Sequence, residues 1–199
     1  MILKLYNGGT ILAPLKCGSR YLDLVFGSEE ETIGLWELNK TLHFEGVSTI
    51  ILRPPFEHLS SALHTEILQR YQTSRVITDI LDSFLTTDSG GWQNTHWNEN
   101  LYSEIYWYWR RNRKYIDIVE LKGLSTYLKK LRLTDIPKYN PSEYDFNQSY
   151  RYWCSKEDLM LFIKNNHKTQ WDAFMKQLET PKEYWNYLIN KELIDIDLV

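Results

Sequence analysis

Cysteine is scarce in this chain: only Cys17 and Cys154 occur in 199 residues. Two cysteines cannot build a framework of several disulfides or a four-cysteine zinc site. No apolar run reaches 18 residues, which argues against a membrane-spanning helix. No basic stretch followed by an apolar core opens the chain, so a soluble, cytoplasmic protein with no membrane partner is expected. Charge of one sign is not in excess either. Lys and Arg total 23 against 26 Asp and Glu, a net charge of −3. No field over the whole surface therefore draws in nucleic acid, and an anionic ligand has to be met by local charge. The GxxxxGK[ST] loop of ATP-type phosphate sites is missing, and no internal repeat is present.

What is present is a single domain over residues 1–199, long enough to bury a proper core. Two segments carry most of the information. In the first, the apolar run Thr10-Ile11-Leu12-Ala13-Pro14-Leu15 reads as a buried strand, and Lys16-Cys17-Gly18-Ser19 reads as the turn after it. Tyr21, Leu22, Val25 and Phe26 then recur at helical spacing, so the turn would open a helix. Free amides at a helix N-terminus favour an anionic oxygen group. Gly18 lets the backbone come close, and Lys16 adds a point charge.

In the second segment, Thr49-Ile50-Ile51-Leu52 is a compact apolar strand with Arg53 at its carboxyl end. Pro54-Pro55 stops the strand and pre-forms the first turn of a helix. Leu59, Leu63 and Ile67 give that helix an apolar face, and Ser61 follows Arg53 by eight residues. Ligands of open α/β sheets bind outside the carboxyl ends of strands, so Lys16 and Arg53 are expected to face one crevice.

These residues resemble the sulfotransferases that use 3′-phosphoadenosine-5′-phosphosulfate (PAPS). Leu15-Lys16-Cys17-Gly18-Ser19-Arg20 is similar to the family's K-x-G-[ST] loop, which cradles the 5′-phosphosulfate between a strand and a helix. The family's second signature is a strand ending in R-[DN]-P-x-[ED]-R-hydrophobic-x-S, whose first arginine and last serine hold the 3′-phosphate. Arg53-Pro54-Pro55-Phe56-Glu57-His58-Leu59-Ser60-Ser61 matches its arginine, proline, glutamate, leucine and serine. It departs from the pattern at Pro54, where Asp or Asn is usual, and at His58, where a second arginine is usual. A looser likeness to carbohydrate-type members lies in His96-Trp97 and in Glu120-Leu121-Lys122-Gly123-Leu124. The resemblance spans residues 9–131.

The resemblance implies an α/β, three-layer, P-loop-type domain. Its mostly parallel sheet of four or five strands would be flanked by helices, with residues 1–131 as the core and 132–199 as a helical completion. It implies sulfuryl transfer from PAPS, with no metal, to an acceptor hydroxyl on a glycan. Lys16, Cys17, Gly18, Ser19, Arg20, Arg53 and Ser61 would hold the donor, and Lys16 would also stabilise charge on the leaving phosphate. His96 and Trp97 would meet the acceptor. The base would be His43, with Glu37 or Glu45 as alternatives, because a neutral imidazole accepts a proton near pH 7. Four residues separate His43 from the next strand, too few for a parallel crossover, so a core or hairpin position stays open.

Several residues carry two readings. Cys17 at a helix N-terminus is placed to form a thiolate, or it is only a spacer in the loop. His58, His64 and His167 have no partner in the pattern and are expected at the surface. Tyr102, Tyr106, Trp107, Tyr108 and Trp109, followed by Arg110, Arg111, Arg113 and Lys114, could grip an anionic polymer or stack on sugar rings. The plainer expectation is a buried aromatic helix face ending in cations. Residues 86–94 and 135–150 read as loops. Ser155 with Asp158 starts a helix, and two more follow over residues 168–178 and 181–192, completing the core or forming a homodimer face. Two other functions remain open at this point: an ATP-dependent phosphotransferase, and a non-catalytic nucleotide-binding or structural interaction module.

Overall fold

The computed structural model describes residues 2–4, 10–14, 16–18, 22, 47–71, 77–85, 97, 99–112, 115–130 and 155–190. The sheet contains strands β1 (Ile2–Lys4), β2 (Thr10–Leu12), β3 (Val47–Leu52) and β4 (Asp117–Glu120). Their spatial order is β1-β2-β3-β4. β2, β3 and β4 run parallel, and β1 adds an antiparallel edge against β2. The sequence pattern does not announce β1, because three residues are too few to display a period of two. At the register shift between Thr10 and Ile11, the Ser48 hydroxyl accepts from the Thr10 N–H (3.2 Å) and donates to its carbonyl (3.3 Å).

The helices are α1 (Pro55–Tyr71), α2 (Ile77–Leu85), α3 (Leu101–Asn112), α4 (Leu124–Lys130), α5 (Lys156–Asn166), α6 (Lys168–Gln177) and α7 (Glu179–Asn190). One 3₁₀ turn, Leu121–Gly123, joins β4 to α4. Pro55 is the first residue of α1, where a missing N–H costs nothing and the fixed φ already suits the helix. Along α1, Leu59, Ala62, Leu63 and Ile67 fall on one face and are buried. Ser155 caps α5 by accepting from the Asp158 N–H at 3.0 Å and donating to the Asp158 carboxylate at 2.7 Å.

Strand alternation distributes the core over both sides of the sheet. Leu12, Ile50 and Leu52 point into the larger cluster, with α1, α2, α3 and α5 to α7. Ile11, Ala13 and Ile51 point the other way and meet Leu22, Leu124 and Leu128. Ile50, Ile51 and Leu52 are all fully buried, as expected of a parallel strand covered on both faces. Each such side chain contributes about 1.5–3 kcal/mol of hydrophobic stabilisation.

The C-terminal helices complete the larger cluster. Phe174 is fully buried, edge-on to Phe84 at 5.8 Å, and Trp171, Trp185 and Tyr187 pack, partly buried, against the same cluster. The aromatic stretch of α3 is a buried face: Tyr102, Tyr106 and Trp109 are inside, and Arg110 and Arg111 close its last turn. Trp107 stands out at 46 % exposure, with the Arg110 guanidinium 5.3 Å from its ring centre. Among the described residues no helix is long and apolar enough to cross a membrane. The loops anticipated at residues 86–94 and 135–150 lie outside the described residues.

Candidate functional site

The carboxyl ends of three parallel strands come together at one edge of the sheet. After β2 the chain makes a tight turn in which the Cys17 N–H donates to the Pro14 carbonyl at 2.9 Å. Two residues of this turn are left-handed, Lys16 at φ 64° and Gly18 at φ 91°. Glycine adopts that conformation freely, whereas Lys16 pays a steric penalty of about 1 kcal/mol. Gly18 is also close to a neighbour: a β-carbon there would lie 2.6 Å from Leu121 Cδ1. The Leu22 N–H donates to the Gly18 carbonyl at 3.0 Å.

Beside it, β3 ends at Leu52 and Arg53 sits half-buried before Pro54 and Pro55. The β2–β3 register pairs Leu12 with Ile50, which brings the two following turns side by side. They touch through Cys17. Its sulfur accepts the main-chain N–H of Arg53 and lies within the field of the Arg53 guanidinium. Neither effect makes it a thiolate. Cys17 is fully buried, and loss of solvation outweighs both, pushing its pKa up to about 12. Of the two readings of Cys17, burial favours the spacer over the thiolate: the thiol is neutral and packs between the two turns.

Arg53 leaves one donor unmet. Its Nε–H is buried with no hydrogen-bond partner among the described residues. A buried, charged N–H without an acceptor is costly, so this is the atom at the sheet edge with most to gain from an anionic oxygen. Pro54 and Pro55 have no N–H, so the opening of α1 offers fewer amides than an ordinary helix N-terminus. Positive character at this turn therefore rests on the guanidinium. Ser61 is half-buried six residues into α1, about 9 Å along the axis. Its carbonyl accepts the Thr65 hydroxyl at 3.0 Å.

His58 was expected at the surface and is fully buried instead. Two helical turns of sequence context could not show this, because its partners come from elsewhere in the chain. Its Nδ1 lies 3.1 Å from the Tyr102 hydroxyl, and that hydroxyl donates to the Arg53 carbonyl at 2.7 Å. Tyr102 has one proton to give, and a carbonyl can only accept. Nδ1 of His58 must therefore be the donor in the first bond, which defines the tautomer. Burial holds the Tyr102 phenol well above its ordinary pKa, so it remains a donor. Trp97 is 2 % exposed and stacks edge-on against His58 at 5.3 Å, with its indole N–H buried and unmet among the described residues. It belongs to this aromatic cluster.

At the rim, Phe56 is 39 % exposed and sits edge-on to Trp171 at 6.3 Å. The Lys164 ammonium lies 5.9 Å from the Trp171 ring centre. Beyond β4, Lys122 is ion-paired with Glu120 at 2.8 Å. Ser19, Arg20, Glu37, His43, Glu45 and His96 lie outside the described residues. Among the described residues no group of three His, Cys, Asp or Glu side chains is placed to hold a metal. Sequence reasoning missed Tyr102 as part of this edge. Its only signal was an aromatic residue on the inner face of a helix, which is shared with Tyr106 and Trp109. The chain matches no protein-family model, no curated protein and no solved structure.

Proposed function

We propose that this chain is a sulfotransferase that binds PAPS at the joined β2 and β3 turns and passes its sulfuryl group to a hydroxyl, most suitably on a carbohydrate. The observation that carries the reading is the unmet Arg53 Nε–H beside the left-handed Lys16–Gly18 turn, at the carboxyl ends of paired parallel strands. The same reading takes the sheet as P-loop-type, mostly parallel and of four or five strands.

The donor supplies an activated sulfuryl group on a phosphate. Lys16 and the amides of its turn stabilise negative charge on the oxygen that departs with that phosphate. Arg53 and Ser61 hold the 3′-phosphate, the arginine through a charge-assisted bond. The acceptor hydroxyl loses its proton to the base, for which His43, and then Glu37 or Glu45, are the candidates. The exposed Phe56 ring suits the apolar face of a sugar.

Calorimetric titration with adenosine 3′,5′-bisphosphate, against ATP with magnesium, tests the reading. Selective binding of the bisphosphate is expected. Arg53→Ala should weaken it between tenfold and a hundredfold while leaving the melting midpoint unchanged, since the lost bond to a charged group is worth about 1.5–3 kcal/mol. Binding of ATP–magnesium alone would favour a phosphotransferase. Bisphosphate binding without turnover of any acceptor would favour a non-catalytic nucleotide-binding module.

A further inference from the structure

The two polar groups of the Arg53 main chain lie just beyond the β3–β4 ladder, where strand pairing no longer satisfies them. Both are taken up by side chains from other parts of the molecule. The N–H goes to Cys17, from the turn after β2. The C=O goes to the Tyr102 hydroxyl, from α3, at 2.7 Å. Tyr102 is itself held: His58 donates to its oxygen, and the Trp185 ring stands edge-on to it at 6.3 Å. A tyrosine kept only for packing needs none of this polar connection, and phenylalanine would fill the same volume.

We propose that Tyr102 and Cys17 clamp the Arg53 main chain from both sides and so act as positioning residues for the guanidinium that grips the ligand's phosphate. This rests on the phosphate-binding reading of Arg53. The orientation of an arginine head is set by its main chain and by whatever its nitrogens contact. Here the Nε–H has no hydrogen-bond partner among the described residues, whereas the main chain is held by hydrogen bonds. Fixing both peptide groups around Arg53 presents the fork already oriented, and less conformational freedom is lost when the anion arrives. His58 extends the clamp to α1, the helix that carries Ser61. The two proposed ligands of one phosphate thereby share a single hydrogen-bonded support.

A double-mutant cycle read by calorimetry with adenosine 3′,5′-bisphosphate tests this. Tyr102→Phe keeps the ring and removes the clamp. It is expected to weaken binding about tenfold, the scale of one lost buried hydrogen bond. In an Arg53→Ala background the same substitution should change affinity less than twofold, because no guanidinium remains to be positioned. A merely structural tyrosine would give equal losses in both backgrounds, or none in either, and that result would overturn the clamp while leaving the phosphate reading intact. Absence of bisphosphate binding by the unaltered protein would overturn the reading itself, and the clamp with it. If Tyr102→Phe does not fold, Cys17→Ala enters the same cycle from the opposite side, with the same non-additive pattern expected. Equal losses in both backgrounds would then decide against the clamp.

Discussion

The turns after β2 and β3 occupy equivalent places on neighbouring parallel strands and are built by opposite means. The first depends on left-handed backbone at Lys16 and Gly18 and on close approach to Leu121. The second depends on two prolines that restrict φ and remove amides. The first turn keeps its amides, one of which, the Cys17 N–H, donates to the Pro14 carbonyl, whereas the proline turn has lost two and its positive character rests on a side-chain cation. Under the proposed reading, the carboxyl ends of the strands would offer a main-chain grip from the first turn and a guanidinium from the second. Cys17 joins them by lying buried between the two.

The largest expected effect concerns that junction. Cys17 titrates near pH 9 in the unfolded chain and near 12 in the folded one, so folding favours the neutral thiol. Below pH 9 both states are protonated and the stability is fully present. Between pH 9 and 10 the unfolded chain releases a Cys17 proton that the folded chain keeps, and stability should fall by about 1.4 kcal/mol per pH unit, before the raised Tyr102 phenol adds its own loss at higher pH. Denaturant titrations across that window should show this slope, and Cys17→Ala should lack it. An unchanged slope in the variant would move the alkaline sensitivity to another group.

Gly18→Ala addresses the first turn alone. A β-carbon at φ 91° is strained, and it also presses on the end of the Leu121 side chain, which can swing away at a cost. A loss of about 1–3 kcal/mol in unfolding free energy is expected, together with weaker bisphosphate binding. Pro55→Ala addresses the second turn and should matter least. It restores an N–H at the first position of α1 and frees the unfolded chain, for a loss of about 0.4–1 kcal/mol. Its bisphosphate affinity should stay within about twofold of the unaltered protein, because the grip there is the Arg53 side chain. A Pro55→Ala loss as large as that of Gly18→Ala would show that the two turns are built alike after all.

Much of this architecture is legible locally. The Pro54-Pro55 pair marks where β3 ends and α1 begins, because a missing N–H and a fixed φ act on the residue that carries them. Ser155 and Asp158 mark the start of α5 for a similar reason, since a cap spans only three residues. Alternation along Ile50, Ile51 and Leu52 goes unseen, because burial on both faces erases the contrast between apolar and polar positions. His58, expected at the surface, is buried, and the sequence left the two readings of Cys17 undecided, for the same reason. Each was judged by its neighbours in sequence, and each takes its character from residues far along the chain.

The sequence by itself determined the order of strand, turn and helix, the cations at two strand ends and the absence of an ATP-type loop, all of which depend on residues within a few positions of one another. Only the tertiary structure decided that β2 and β3 are neighbours and that Cys17 lies buried against Arg53. It alone joined His58, Tyr102 and the Arg53 carbonyl into one line. The physical reason is range: capping, proline geometry and helical spacing act over one or two turns, whereas the bonds at Tyr102 span 44 and 49 residues and exist only once the core has packed around them.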